Sequence, residues 1–430
     1  MARVPNLHYL QLLHSLQGGI NIQPILESCC GLDVHKSMIK ACIAKGPLDK
    51  PPKFEIRTFS TMTSDLIKLK EWLMKNEVEA VAMESTGVYW KPIFNILEDC
   101  FDIVLANPQY LKKVPGKKSD VKDCQWIATL LRNGLIPNSF IPPREIRELR
   151  DLNRTRRKHI EIMTSEKNRL QKVLEDANIK LGSVVSKIDG KSSMKMIHAI
   201  LERDVLSKED ISEMACGKLK SKVPQLVEAL NGRVTEHHRF LLRFHLENIA
   251  FQLDQIRELD EEIQKRMIPF QKEYRLIQTL PGISKTSAAA IIAEIGTDMS
   301  QFPDEAHLSS WAGMCPGNNE SAGIKKSGKV RKGNGFLKGI LTEVAWAASR
   351  TKGSAYSAIY NGIAKRRGKK RALIALGHRI LCDIHNVLTI GEAYVDEGAE
   401  AVFQRNSKAR EGAMIRALER SGYTITKFLA

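Results

Sequence analysis

The chain has no run of about eighteen apolar residues, so no membrane span is expected. Its first residues, MARVPNLHYLQLLHSLQGG, lack the long apolar core of a secretory leader. The eight cysteines, at 29, 30, 42, 100, 124, 216, 315 and 382, contain no CxxC pair and no zinc-type spacing. Most sit among apolar neighbours and read as small core residues, so a reducing, cytoplasmic location is expected. Acid is the scarce charge: Asp plus Glu number 49 against 66 Lys plus Arg, a formal net charge of +17. That balance points to a polyanionic partner, in most cases nucleic acid. The 430 residues, 43% hydrophobic, suffice for two or three domains.

Strands and helices alternate over residues 28–143. CCGLDVHKSMIKACIAKG reads as strand, turn and strand; EAVAMESTGVYWKPIFNILED as a strand ending near Glu84 and then a helix; FDIVLANP as a strand stopped by Asn107-Pro108. A helix then runs to Gly134. This alternation predicts one layered α/β domain after an N-terminal extension over 1–27. Residues 144–274 read as a helical arm, with a short helical insert at 181–233 between two long helices, the second from about Val234 to Tyr274. In that second helix, positions 242, 246, 249, 253, 256, 260, 263 and 267 alternate spacings of four and three, and all but Asp260 are Leu, Ile or Met. Such a seam is a coiled-coil pattern, closed either against its own domain or against a second copy. Residues 275–395 form a mostly α-helical unit, and 396–430 a polar helical tail.

Four acids carry the chemistry of the first domain. Asp33 lies inside an apolar strand, Glu84 ends one, and Asp120 and Asp123 open a helix in GKKSDVKDCQWIATLLRNG. Burying a lone carboxylate is costly, so an acid in such a strand needs a reason. Acids at strand ends and at a helix start can converge on one sheet edge, where a cation must offset their charge; oxygen ligands suit Mg²⁺ or Mn²⁺. Two such ions about 4 Å apart can activate an attacking oxygen and stabilise a leaving one at a phosphodiester. Lys117, Lys118 and Lys122 would then hold the phosphates. The competing reading makes Asp120 an N-cap and Asp123 a first-turn acid favouring the helix dipole.

In the last unit, ESAGIKKSGKVRKGNG is rich in Gly and Lys. A serine in such a loop can approach a phosphate gripped by Lys325, Lys326, Lys329, Arg331 and Lys332, although no His lies nearby in sequence to activate it. The loop could equally grip phosphate with its serines as bystanders. LPGISKTSAAAIIAEIG looks like a helix-hairpin-helix, with Gly282 in the turn and Lys285 at a helix start able to meet a phosphate backbone.

GLDVHK, ESTGVYWKP, KKSDVKDCQWIATLLRNGLIP, LPGISKTSAAAIIAEIG and WAGMCPGNNESAGIKKSGKVRKGN, in that order, resemble the transposases of the insertion-sequence-110 family, over about residues 30–395. The resemblance implies a RuvC-like domain of RNase H fold with Asp33, Glu84, Asp120 and Asp123 as its acid set, followed by a serine domain. It also implies a nucleophile at Ser321, where Glu320 and Ala322 depart from the family's usual Ser and Gly; Ser327, in KSGK, keeps a Ser-Gly pair. Donor and target DNA, a noncoding bridge RNA as guide, and a dimer or tetramer sharing a composite site are the implied partners. The alternatives are a metal-dependent junction nuclease using water and a non-catalytic nucleic-acid-binding protein.

Overall fold

The computed structural model describes residues 24–425 apart from 86, 109–122, 138, 204, 316–318, 322–323, 328–329 and 331–332; at 319–321 and 324–327 it describes the backbone alone. The chain divides into two compact units, one ending at Ile141 and the other beginning at Pro142.

The first unit is built on a five-stranded sheet in the order β3-β2-β1-β4-β5. β1 (Ser28–Val34), β2 (Met38–Lys45) and β3 (Lys53–Ser60) form an antiparallel meander, and β4 (Ala80–Glu84) and β5 (Asp102–Ala106) run parallel to β1. β3 was not expected from sequence: its alternating KFEIRTFS is largely exposed, with Lys53, Glu55 and Arg57 guarding a sheet edge. Side-chain size sorts the two faces. Leu32, Ile39, Ile43, Val81, Met83 and Leu105 bury against α1 (Thr63–Lys75) and α2 (Trp90–Leu97). The opposite face carries Cys29, Gly31, Cys42, Ala44, Ala80, Ala82 and Ala106, and these small residues let α3 (Asp123–Arg132) lie close. At its far end Arg132, fully buried, donates to the carbonyls of Glu27, Gly46 and Pro47 at 3.2, 3.1 and 2.7 Å and so ties α3 to the turn after β2. A mixed sheet covered on both faces, followed by helices, is compatible with the expected RuvC-like domain and helical remainder.

The second unit opens with α4 (Arg144–Asp176). The insert supplies α5 (Leu181–Val184), α6 (Lys191–Glu202), α7 (Lys208–Met214) and α8 (Val223–Leu230) before α9 (Glu236–Arg266) returns along α4. The two long helices are antiparallel, as cross-pairs from end to end show: Arg156 with Asp260, His159 with Gln252, Glu166 with His245 and Asp176 with His238. Leu242, Leu246, Ile249, Ile263 and Met267 of the seam are buried. Two features differ from the pattern read in sequence. Leu253 is exposed while Gln252, bonded to His159 at 2.7 Å, takes the inward position. The helix also stops at Arg266, short of Tyr274, because Pro269 cannot donate the next backbone bond. Asp260 meets a basic partner, Arg156, at 2.6 and 3.1 Å.

After α10 (Gln271–Ile277) and a turn at Gly282 comes α11 (Lys285–Ile295), then α12 (Glu305–Trp311), a hairpin of β6 (Asn319–Ser321) and β7 (Ile324–Ser327), α13 (Gly335–Ala348), α14 (Ala355–Arg367), α15 (Lys369–Ile390) and α16 (Gly398–Arg420). α15 is long and apolar enough to cross a membrane. Its inward face, however, packs on α12, α13 and α14, and its buried Asp383 accepts from Tyr356 and Arg379 at 2.9 and 3.0 Å, the mark of a core helix.

Candidate active site

Asp33 and Glu84 follow directly on Leu32 and Met83, the last residues that the neighbouring parallel strands β1 and β4 pair with each other. Alternation along a strand puts Asp33 on the face of Gly31 and Cys29, and Glu84 on that of Ala82 and Ala80, which is the face α3 covers. A Cβ on Gly31 would stand 2.3 Å from the Cys124 carbonyl oxygen and 2.4 Å from the Ala128 nitrogen. The helix therefore lies backbone against strand there, and its first residue, Asp123, opens at the carboxyl edge of the sheet, where open α/β sheets place their ligands. The hydrogen bond with Cys42 lowers the Cys124 thiol, and burial and the negative charge of Asp33 oppose it.

Asp33 keeps about a fifth of its side chain in solvent and meets the more exposed His35, Nε2 to Oδ2, at 3.1 Å. Directly across the β1–β2 ladder stands Lys40. Sequence reading assigned no role to Gly31, His35 or Lys40, although the first two flank Asp33 in GLDVHK; alternation on β2, with Cys42 and Ala44 facing α3, was the signal for Lys40. The donors at this edge are carboxylate oxygens, the chemistry of a hard cation. Among the described residues no three His, Cys, Asp or Glu side chains are grouped closely enough to hold an ion by themselves. Asp120, Lys117, Lys118 and Lys122 lie outside the described residues.

The second candidate segment lies in the other unit. What sequence suggests is a flexible loop is a two-stranded hairpin, in which the backbone of Glu320 is in register with that of Lys325. Ser321 ends β6 and pairs with Ile324, whereas Ser327 pairs with Asn319 at the other end of the ladder. The two serines thus occupy opposite ends of one hairpin. Lys325 and Lys326 lie on β7; Lys329, Arg331 and Lys332 fall outside the described residues. The hairpin's feet are held together. A Cβ on Gly333 would meet the Gly313 nitrogen at 2.4 Å, and Lys338 donates to the Gly313 carbonyl at 3.3 Å. His378 of α15 reaches the foot as well, its Nε2 4.0 Å from the Cys315 sulfur, an approach that 63 residues of separation hid from sequence. Burial, helped by Arg379, holds this imidazole below its ordinary value.

Gly282 adopts a φ of 90° in the turn before α11, and a Cβ there would meet the Ala348 nitrogen and Val344 carbonyl of α13 at 2.7 Å. It packs against protein, while Lys285 and Thr286 at the start of α11 stay exposed beyond the Ser284 cap.

Residues 30–179 match a family model for the DEDD type found in IS110 elements, described as Transposase. Residues 274–361 match a second, described as Transposase IS116/IS110/IS902 family. No curated protein matches the chain.

Proposed function

The chain belongs to the IS110 family of transposases, and from that premise we propose that it cuts and rejoins DNA strands with a carboxylate-held metal site and a serine nucleophile. The observation that supports the metal site best is the register that sets Asp33 beside Glu84 on two parallel strands, with α3 opening at Asp123 over the same edge. Asp120 completes the proposed set. Bound Mg²⁺ or Mn²⁺ would supply Lewis-acid charge to the oxygens around a scissile phosphorus. Lys40, with Lys117, Lys118 and Lys122, would grip the flanking phosphates.

The Ser321 hydroxyl attacks phosphorus. A Ser–O–P bond forms, the P–O bond to one deoxyribose breaks, and the serine proton leaves with the departing hydroxyl. Attack by the hydroxyl of a second strand reverses these changes, so the number of phosphodiesters is conserved and no nucleotide is consumed. Lys325, Lys326, Lys329, Arg331 and Lys332 stabilise the charge that develops on the non-bridging oxygens. The hairpin supports Ser321 over Ser327 by placing it at the end of β6, where the chain turns back. Lys285 and the exposed start of α11 suit a helix-hairpin-helix contact with the DNA backbone. A net charge of +17 leaves room for a guide RNA beside donor and target DNA. Phe240, Phe244 and Phe251, exposed along one face of α9, support a homo-oligomer in which copies share their sites.

The test is adduct trapping on nicked element-end DNA with Mg²⁺. Wild type should form a covalent protein–DNA species; Ser321→Ala should bind DNA yet form none. Asp123→Asn should also lose it, because it removes ligand charge and little packing. An adduct that survives Ser321→Ala but not Ser327→Ala moves the nucleophile to 327. Cleavage without any adduct makes water the nucleophile.

A further inference from the structure

Glu294 sits in the apolar run AIIAEIG of α11 and is 2% exposed. A carboxylate so deeply buried must be fully partnered. Arg154 of α4 grips both its oxygens, Nε at 2.8 Å and Nη2 at 2.9 Å. Arg150, one turn earlier, donates to the Ala293 and Glu294 carbonyls at 3.0 and 2.7 Å. Arg150 also brings its Nε to 3.5 Å from Oε2, and the informative contact is a further one: Asn334 donates its Nδ2 to the same Oε2 at 2.6 Å.

Asn334 is the N-cap of α13 and the residue at the exit foot of the serine hairpin. Its Oδ1 accepts from the Phe336 and Leu337 nitrogens, both at 3.1 Å. The carboxamide therefore has one allowed orientation, since a flip would lose both cap bonds and turn an oxygen toward a carboxylate. On its other side Gly333 is pressed on Gly313, so the hairpin's two feet move together. Arg157 extends the same face of α4 to Glu343 of α13 at 2.7 Å, and Arg154 stacks on Phe336 with its guanidinium carbon 4.5 Å from the ring centre. Residues 150, 154 and 157 share one helix face, whereas Arg156 and His159 turn to α9.

We propose that Glu294, bridging Arg154 and Asn334, is a positioning residue that couples the arm helix α4 to the serine-bearing hairpin, so that the placement of the hydroxyl follows the placement of the arm. This rests on the serine reading above. Glu294 touches no reacting atom; it acts through Asn334. A misplacement of about 1 Å at a reacting group costs on the order of a hundredfold in rate.

Polarity reversal tests the coupling. Asn334→Asp keeps the helix cap but sets a second carboxylate against Glu294. Adding Glu294→Gln removes that like-charge repulsion and keeps the net charge of the cluster, although the new amide nitrogen, standing where Oε2 accepts from both Asn334 Nδ2 and Arg154 Nη2, also faces the Arg154 donor. The readouts are the single-turnover rate of adduct formation at saturating DNA, the DNA affinity and the melting temperature. Asn334→Asp should slow adduct formation by about a hundredfold with DNA affinity unchanged, and the double variant, relieved of the repulsion, should recover part of that loss. Asn334→Ser, which caps but cannot reach Glu294, should be slowed too and serves if Asn334→Asp does not fold. A folded Asn334→Asp or Asn334→Ser working at the wild-type rate overturns the proposal, as does a folded double variant no faster than Asn334→Asp. An adduct that needs Ser321 yet forms normally in these variants defeats the positioning role alone; an adduct that persists in Ser321→Ala and Ser327→Ala defeats the serine reading and this proposal with it.

Discussion

Gly31→Ala adds one methyl group where the structure has no room for it. The new carbon would lie 2.3 Å from the Cys124 oxygen and 2.4 Å from the Ala128 nitrogen, and both are backbone atoms that no rotamer change can move. α3 must retreat by about 1 Å to reach ordinary contact distance. Overpacking of this kind costs about 1–3 kcal/mol. The same retreat displaces Asp123 from the edge where β1 and β4 carry Asp33 and Glu84, and about 1 Å at a reacting centre is worth on the order of a hundredfold. The variant should therefore unfold at lower urea and, at temperatures where it is fully folded, cleave DNA about a hundredfold more slowly with Mg²⁺. Gly339→Ala is the control: a Cβ there meets nothing within 4 Å, so stability should hold or rise and cleavage should not change. Normal stability in Gly31→Ala would mean that α3 does not lie against β1 as described. Lowered stability with normal cleavage would mean that the position of Asp123 does not matter to the chemistry.

Arg132→Met keeps the aliphatic stem but abandons the carbonyls of Glu27, Gly46 and Pro47; charged hydrogen bonds contribute about 1.5–3 kcal/mol each, so urea denaturation should show a loss of at least about 3 kcal/mol, and a loss below about 1 kcal/mol would refute the tie. His378, held below its ordinary value of 6.5 by burial and Arg379, takes up a proton less readily in the folded unit than in the unfolded chain. Its contribution is thus complete above 6.5 and declines as the pH falls below it. The melting temperature of wild type should drop more between neutral and mildly acid pH than that of His378→Gln, and parallel curves would refute this.

Much of the first unit was legible because its signals are local. An apolar run that stops at Glu84 marks a strand end, Asp33 lies inside another such run, and an acid opening an amphipathic stretch marks the start of α3. β3 escaped because an exposed edge strand alternates charge with apolar residues and buries almost nothing. The hairpin escaped because Gly- and Lys-rich composition resembles a loop whether or not its backbone pairs. The seam on α9 was visible as periodicity, but its inward turn at Gln252 was not, since that depends on His159 of the opposing helix. Gly31 stands in the motif two residues before Asp33, yet its reason is a helix about ninety residues away.

Asp33 and Glu294 present one signal in sequence, a lone carboxylate in an apolar run, and the structure resolves it in two opposite ways. Glu294 is enclosed, with Arg154 across both oxygens and Asn334 on one of them, so its charge is spent inside the protein and its effect is to hold other groups still. Asp33 stands at a sheet edge, partly in solvent, with an exposed His35 on one oxygen. A cation can reach the second carboxylate and cannot reach the first. What separates the two is where the compensating charge comes from: Arg150 and Arg154 precede Glu294 by 144 and 140 residues. A buried acid whose cations arrive from distant segments is held inside the protein, and one left at a sheet edge stays open to solvent and its ions; the choice between them is made by the tertiary fold.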